Sequence, residues 1–126
     1  MLDASAGVEL LLETPIGAAL RPKLPAGTVW VPEIYYAEVA GALRRLELAG
    51  TITAQRAVVA LDELLAAPLR RIEVKPLLSE ARTLGHNVTI ADAVYVVLAR
   101  HSSSAVVTTD HRLASAPGLG VPFITD

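Results

Sequence analysis

Residues Thr89 to Asp110 read TIADAVYVVLARHSSSAVVTTD, and this stretch decides the fold. Thr89-x-x-Asp92 has the form of a capping box in its aspartate-ended version, opening a helix that runs to about His101. From Ala93 to Leu98 the helix is apolar at nearly every position, so it must be buried on most sides. Beyond three serines, Ala105 to Thr108 reads as a buried strand that ends beside Asp110. A buried helix leading into a buried strand is the repeating unit of a parallel sheet.

Outward from this stretch the same alternation recurs. Met1 to Asp3 reads as a short strand and Ser5 to Glu13 as a helix with Val8, Leu11 and Leu12 on one face, ended by Pro15. Pro22 to Gly27 is a loop, Thr28 to Val31 a strand, and Pro32 sits where an N1 proline opens a helix over about Glu33 to Leu48 that stops at Gly50. Thr53 caps a further helix ending before Pro68, Ile72 to Val74 is a candidate strand, and Pro76 to Leu84 a short helix closed by Gly85. His111 to Ala116 supplies a turn or two before Pro122 to Ile124. The pattern predicts an α/β fold, a mostly parallel sheet with helices on its faces.

The chain has 126 residues, with 11 basic against 13 acidic side chains and 52% hydrophobic residues, which predicts one domain over 1–126 with a core of its own. The absence of cysteine excludes disulfides, zinc-thiolate sites, iron–sulfur clusters and thiol nucleophiles. The longest apolar stretch, Ala91 to Ala99, is interrupted by Asp92 and too short to span a bilayer, and no basic region precedes an apolar run at the start. A soluble cytoplasmic protein with no membrane partner is therefore expected. A net charge of −2 does not suit a general polyanion binder, so any nucleic-acid role needs a local basic patch or a bound cation.

Four acids stand out. Asp3 and Asp110 each precede a helix and taken singly read as N-caps, yet both follow strands and should emerge at the carboxyl edge of the sheet, where open α/β sheets bind ligands. Asp92 sits at the start of the most apolar helix, and Glu38 lies mid-helix among Ile34, Tyr35, Ala37, Val39, Ala42 and Leu43. If the four converge at ~4–5 Å, each ionised pair repels by roughly 3–4 kcal/mol at an effective dielectric near 20, which calls for a cation. All-oxygen ligation selects Mg²⁺ or Mn²⁺.

Leu2-Asp3-Ala4-Ser5-Ala6, Val31-Pro32-Glu33 with Ala37-Glu38-Val39-Ala40 and Leu43-Arg44-Arg45, Thr89-x-x-Asp92-Ala93-x-Tyr95-x-x-Leu98-Ala99, and Val107-Thr108-Thr109-Asp110-x-x-Leu113 together resemble a PIN domain of the VapC toxin ribonuclease type, in the family's order over nearly the whole chain. The resemblance implies a three-layer α/β/α sandwich. It also implies a Mg²⁺-dependent endoribonuclease, with Mn²⁺ able to substitute, silenced by a cognate VapB-type antitoxin. By position, Asp3, Glu38, Asp92 and Asp110 match the family's catalytic and metal-holding acids, with Asp3 and Asp92 as first choices for direct ligands. Ser5 and Thr108 match the polar positions that support them. The implied reaction is in-line hydrolysis of an RNA phosphodiester, leaving a 3′-hydroxyl and a 5′-phosphate. Only Met1 and Leu2 precede Asp3, fewer apolar residues than relatives carry; the alternatives are a native start upstream, a trimmed chain, or an Asp3 held less rigidly.

Among the remaining residues, Arg112 follows Asp110 by two and is the candidate for substrate binding; its loss is expected to weaken RNA binding and leave metal binding alone. Arg44, Arg45, Arg56, Arg70, Arg71 and Arg82 read mostly as solvated faces. His86, His101 and His111 share no ligand spacing, with His111 a minor candidate for touching RNA; Trp30, Tyr35, Tyr36 and Tyr95 are assigned to core and interface packing. Helices 33–48 and 53–67 are candidates for a groove accepting an antitoxin helix, and a homodimer through other helices is expected by analogy. A receiver domain fails because Lys23 and Lys75 are remote from the carboxyl edge, and an Asp-x-Asp phosphatase fails because Ser5 takes the second acid's place. The competing reading is a catalytically weak or inactive PIN-like module that only binds protein or RNA.

Overall fold

The computed structural model describes residues 1–126. Its strands are short and parallel: β1 (Trp30–Pro32) pairs with β2 (Arg70–Ile72), and β3 (Val106–Val107) with β4 (Phe123–Ile124). The first residues of the chain join the two pairs. Leu2 bridges Val107 in parallel, with Val107 N–H donating to Met1 O at 2.8 Å and Asp3 N–H to Val107 O at 2.9 Å, while Leu2 N–H donates to Trp30 O at 3.1 Å. The order across the sheet is therefore β2, β1, the segment at Leu2, β3, β4. A chain that starts in the centre, runs to one edge and returns to fill the other is doubly wound. Its ligand crevice lies where the direction reverses, beyond the carboxyl ends of the Leu2 segment and β3. Asp3 and Thr108 to Asp110 stand there.

Helices α1 (Ala4–Leu11), α2 (Pro15–Leu20), α3 (Ile34–Leu48) and α4 (Ala54–Ala66) pack among themselves. On the other side α5 (Leu78–Arg82) packs on α6 (Ile90–His101), which lies on β1 and β3, and α7 (His111–Ala114) joins α6 through Leu113 and Val96. The result is the three-layer α/β/α sandwich. Every residue of α6 from Ala93 to Ala99 is buried, as its all-apolar sequence requires. Burial of those side chains on both the sheet and α5 supplies much of the core. No helix is long and apolar enough to cross a membrane.

Several elements differ from expectation for identifiable reasons. Pro15 does not merely end α1; it opens α2 at the first helical position, with Thr14 as the N-cap accepting from Gly17 N–H at 3.1 Å. Pro32 is the last residue of β1 rather than the first of a helix. The strand expected at Ile72 to Val74 lies at Arg70–Ile72, because β2 is an edge strand and its first two residues face solvent instead of the core. Arg70 there stacks its guanidinium 4.6 Å from the Trp30 ring centroid. The helix expected from Pro76 divides into a 3₁₀ turn at Lys75–Leu77 and α5. Arg56 is no solvated side chain: its Nη2 donates to Leu11 O, a carbonyl left open at the end of α1, while Arg21 Nη2 joins Glu13 N–H on Leu10 O.

The turn between α1 and α2 brings their backbones into contact at Gly17, where an added Cβ would stand 2.1 Å from Glu9 O and 2.6 Å from its carbonyl carbon. Backbone cannot yield as a flexible side chain does. Gly17→Ala is expected to lower the unfolding free energy by about 1–3 kcal/mol in urea titration; a loss within 0.5 kcal/mol of zero would show that the helices can separate freely.

Candidate functional site

At the switch point a pocket of about 210 Å³ is lined by Asp3, Ala4, Ser5, Glu38, Ala42, Arg45, Asp92 and Asp110. The four acids arrive from four elements: Asp3 from the residue before α1, Glu38 from the second turn of α3, Asp92 from the first turn of α6, and Asp110 from the residue before α7. No three of the Asp, Glu and His side chains approach closely enough to ligate one ion together. The four acids thus form a looser ring than direct-ligand spacing would give, which reduces their mutual repulsion.

Asp3 is the most enclosed acid, 6% exposed. Its carboxylate makes no capping bond to α1, contrary to the N-cap expectation. Instead Oδ2 accepts from Ser5 Oγ at 2.6 Å and from Thr108 Oγ1 at 2.7 Å. Each hydroxyl has a single proton, and both protons go to Asp3, so the 3.1 Å approach of the two hydroxyl oxygens is a contact between acceptors. Those oxygens accept in turn from Thr109 N–H and Asp110 N–H, each at 3.0 Å. The short first strand therefore does not leave Asp3 loose.

Asp110 caps α7 as expected, Oδ1 accepting from Leu113 N–H at 3.1 Å. At Asp92 only half of the capping box forms: Thr89 Oγ1 accepts from Asp92 N–H at 3.1 Å, and the Asp92 carboxylate is left for the pocket. Arg112 reaches over both acids, its Nη2 lying 3.4 Å from Asp92 Oδ2 and 3.4 Å from Asp110 Oδ2. Glu38 Oε1 accepts from the hydroxyl of fully buried Tyr95 at 2.7 Å. Tyr95 thereby does more than fill the core, a role its apolar surroundings in the sequence conceal. His101 pairs with Glu80 and His111 with Asp126, and neither lines the pocket.

Burial pushes the Glu38 carboxyl above its ordinary range; the Tyr95 hydrogen bond works against this, and the charges of Asp3 and Asp92 add to it. Asp92 is also raised, chiefly by burial and further by Asp3 and Asp110, with Thr89 and Arg112 opposing. A carboxyl whose native pKa is raised holds its proton longer in the folded chain, so stability falls as pH rises from the unfolded value through the native one. Glu38→Gln keeps the acceptor for Tyr95 and removes that penalty. The variant is expected to unfold at a higher temperature than wild type at pH 7 in EDTA, with the gain vanishing below pH 4.5, the ordinary glutamate value. An equal gain at both pH values would place its origin outside the charge.

A second, larger hollow of about 540 Å³ lies between α3 and α4, lined by Leu43, Leu48, Ala57, Val58 and Leu61 with Arg44 and Glu47 among others. Leu48 and Val58 are 74% and 58% exposed there.

The PIN domain family profile matches residues 1–119. Among curated proteins of Mycobacterium tuberculosis, Ribonuclease VapC12 is 39% identical over 118 residues, covering 94% of this chain and 92% of its own. Ribonuclease VapC3 is 37% identical over 92% of this chain and 85% of its own, and Ribonuclease VapC1 40% identical over 94% and 91%. Among solved structures, the crystal structure of PAE2754 from Pyrobaculum aerophilum superposes with a TM-score of 0.62 at 20% identity, covering 90% of this chain and 81% of that one. Profile, relatives and architecture agree: this chain belongs to the PIN domain family, among its VapC-type members.

Proposed function

We propose that residues 1–126 form one PIN domain that is a divalent-metal-dependent endoribonuclease, the toxin of a toxin–antitoxin pair, with Asp3, Glu38, Asp92 and Asp110 as its metal-holding and catalytic acids. The observation that carries this reading is the pocket at the switch point, where four acids line one hollow and two of them are raised by burial and by their neighbours' charge. A purely structural site has no use for that repulsion. The ribonuclease names of the relatives support the activity.

The donor set fits a hard divalent cation. Every donor is an oxygen, and Asp3 Oδ1 and Glu38 Oε2 accept no hydrogen bond within the protein, which leaves oxygens free for direct ligation; Asp3 and Asp92 are proposed as the direct ligands. The wide ring suits an ion such as Mg²⁺ or Mn²⁺ that keeps several waters and takes only one or two carboxylates. A bound cation there supplies charge stabilisation at the phosphodiester and makes water a nucleophile near neutral pH. The chain's own residues do the rest. Ser5 and Thr108 fix Asp3 through Oδ2 and leave Oδ1 without a partner in the protein. Tyr95 orients Glu38, and Asp110, held through its cap to α7, is positioned with Glu38 to accept hydrogen bonds from water. Arg112 is a substrate-binding cation, but because its guanidinium sits on Asp92 and Asp110, metal and RNA binding are coupled through it. On this proposal the loss of Arg112 alters metal binding as well as RNA binding, in contrast to the expectation from sequence.

The partner surface is proposed to be the α3–α4 hollow, whose exposed leucine and valine side chains suit the apolar face of a VapB-type antitoxin helix. Dimerisation is proposed to use other helices.

Incubation of wild type and Asp92→Asn with total cellular RNA in Mg²⁺, Mn²⁺ or EDTA, with mapping of new 5′ ends, tests the activity. Discrete cuts bearing 5′-phosphate are expected from wild type, abolished by EDTA and reduced in Asp92→Asn beyond the roughly 10–100-fold seen on losing an outer partner of a metal site. Folded, antitoxin-free protein that cuts nothing would favour a PIN fold kept for binding alone. Titration calorimetry of Arg112→Ala with Mn²⁺, without RNA, tests the coupling. Each exposed ion pair is worth about 0.2–1 kcal/mol, so removing this competing cation is expected to tighten Mn²⁺ binding a few-fold. Unchanged or weaker binding would separate Arg112 from the metal.

A further inference from the structure

We propose that Arg45 is the substrate-positioning residue of this site, its guanidinium gripping a backbone phosphate of the RNA next to the one cleaved. The inference rests on the nuclease reading above. Four carboxylates repel a polyanion, so a pocket that takes RNA needs a cation of its own at the rim as well as one within. Glu38, Ala42 and Arg45 stand at i, i+4 and i+7 of α3, a single stripe, and all three line the pocket. The Arg45 side chain runs back toward the helix start, its Nη1 lying 3.5 Å from where a Gly41 Cβ would stand, so the guanidinium is carried one turn toward Glu38.

What distinguishes Arg45 is that it is free. Its side chain is exposed and makes no hydrogen bond or ion pair. Arg112, the other cation at the site, is engaged by Asp92 and Asp110. Arg56 is committed to the end of α1, Arg100 to Leu119 O, and Arg70 to Trp30. Arg44 and Arg82 are also unpaired, but neither lines the pocket. A planar guanidinium with five donors and no internal partner is suited to bidentate phosphate binding. Arg45 accordingly acts by holding the strand, not by touching the reacting atoms.

The test uses Asp92→Asn protein, so that RNA survives, in Mg²⁺ with a fluorescent single-stranded RNA of mixed sequence, titrated at several salt concentrations. Adding Arg45→Ala is expected to weaken binding roughly tenfold at low salt and to make the slope of log affinity against log salt shallower by about 0.7. Arg45→Lys should restore much of the affinity, Arg82→Ala should match the parent, and thermal unfolding should be unchanged in all. In otherwise wild-type protein, Arg45→Ala should raise KM and spare kcat. A parent that binds RNA with the same affinity and slope whether or not Arg45 is present overturns the assignment and leaves the nuclease reading intact. If the parent binds no RNA and wild type cuts none, the nuclease reading itself is lost, and the role of Arg45 with it.

Discussion

One carboxylate oxygen organises the centre of this molecule. Asp3 Oδ2 accepts the hydroxyl protons of Ser5 and Thr108, and the same two hydroxyls accept the amide protons of Thr109 and Asp110. The third residue of the chain is thus tied through side chains to the segment that follows β3, beside the backbone bonds that join Met1 and Asp3 to Val107. Hydrogen bonds to a charged group contribute about 1.5–3 kcal/mol each, and leaving the buried Thr108 hydroxyl unpaired would forfeit a comparable amount. The arrangement also makes Asp110 depend on Asp3, because the loop that carries Asp110 hangs from the hydroxyls that Asp3 orients.

The rest of the proposed site is built against stability. Asp92 enters the pocket from the start of α6, a helix buried at every residue from Ala93 to Ala99, and is itself half-buried. Glu38 is likewise drawn inward and secured by the hydroxyl of Tyr95, a residue whose ring belongs wholly to the core. Both acids are pushed toward their neutral forms, and Arg112 partly offsets the charge at Asp92 and Asp110. A protein that keeps this tension concentrates negative charge that a bound cation would offset.

Much of this was legible in the sequence wherever one period dominated. The apolar run after Asp92, the Thr53 and Thr89 caps and the valine-rich β3 carry signals strong enough to place α4, α6 and the sheet centre to within a residue or two. The misses fall where the local signal is ambiguous. Pro15 closes one helix and opens another, and β2 begins two residues before the strand expected from Ile72 because its solvent-facing arginines carry no apolar signal. At the site, the four acids were visible because each sits at a strand or helix start or among apolar neighbours. Their individual duties were not. Only the fold reveals that Asp3 leaves α1 uncapped to serve two hydroxyls from either end of the chain, that Tyr95 reaches Glu38, and that Arg45 shares a stripe with Glu38 while Arg56 does not face the pocket at all.

The proposed activity requires that these acids hold a divalent ion. Diffraction from crystals of the protein grown with Mn²⁺, collected near the manganese absorption edge, tests this directly. Anomalous density is expected inside the pocket bounded by Asp3, Glu38, Asp92 and Asp110, within bonding distance of Asp3 or Asp92 oxygens. Fully loaded crystals with anomalous density only elsewhere, and Arg112 still seated on Asp92 and Asp110, would contradict it.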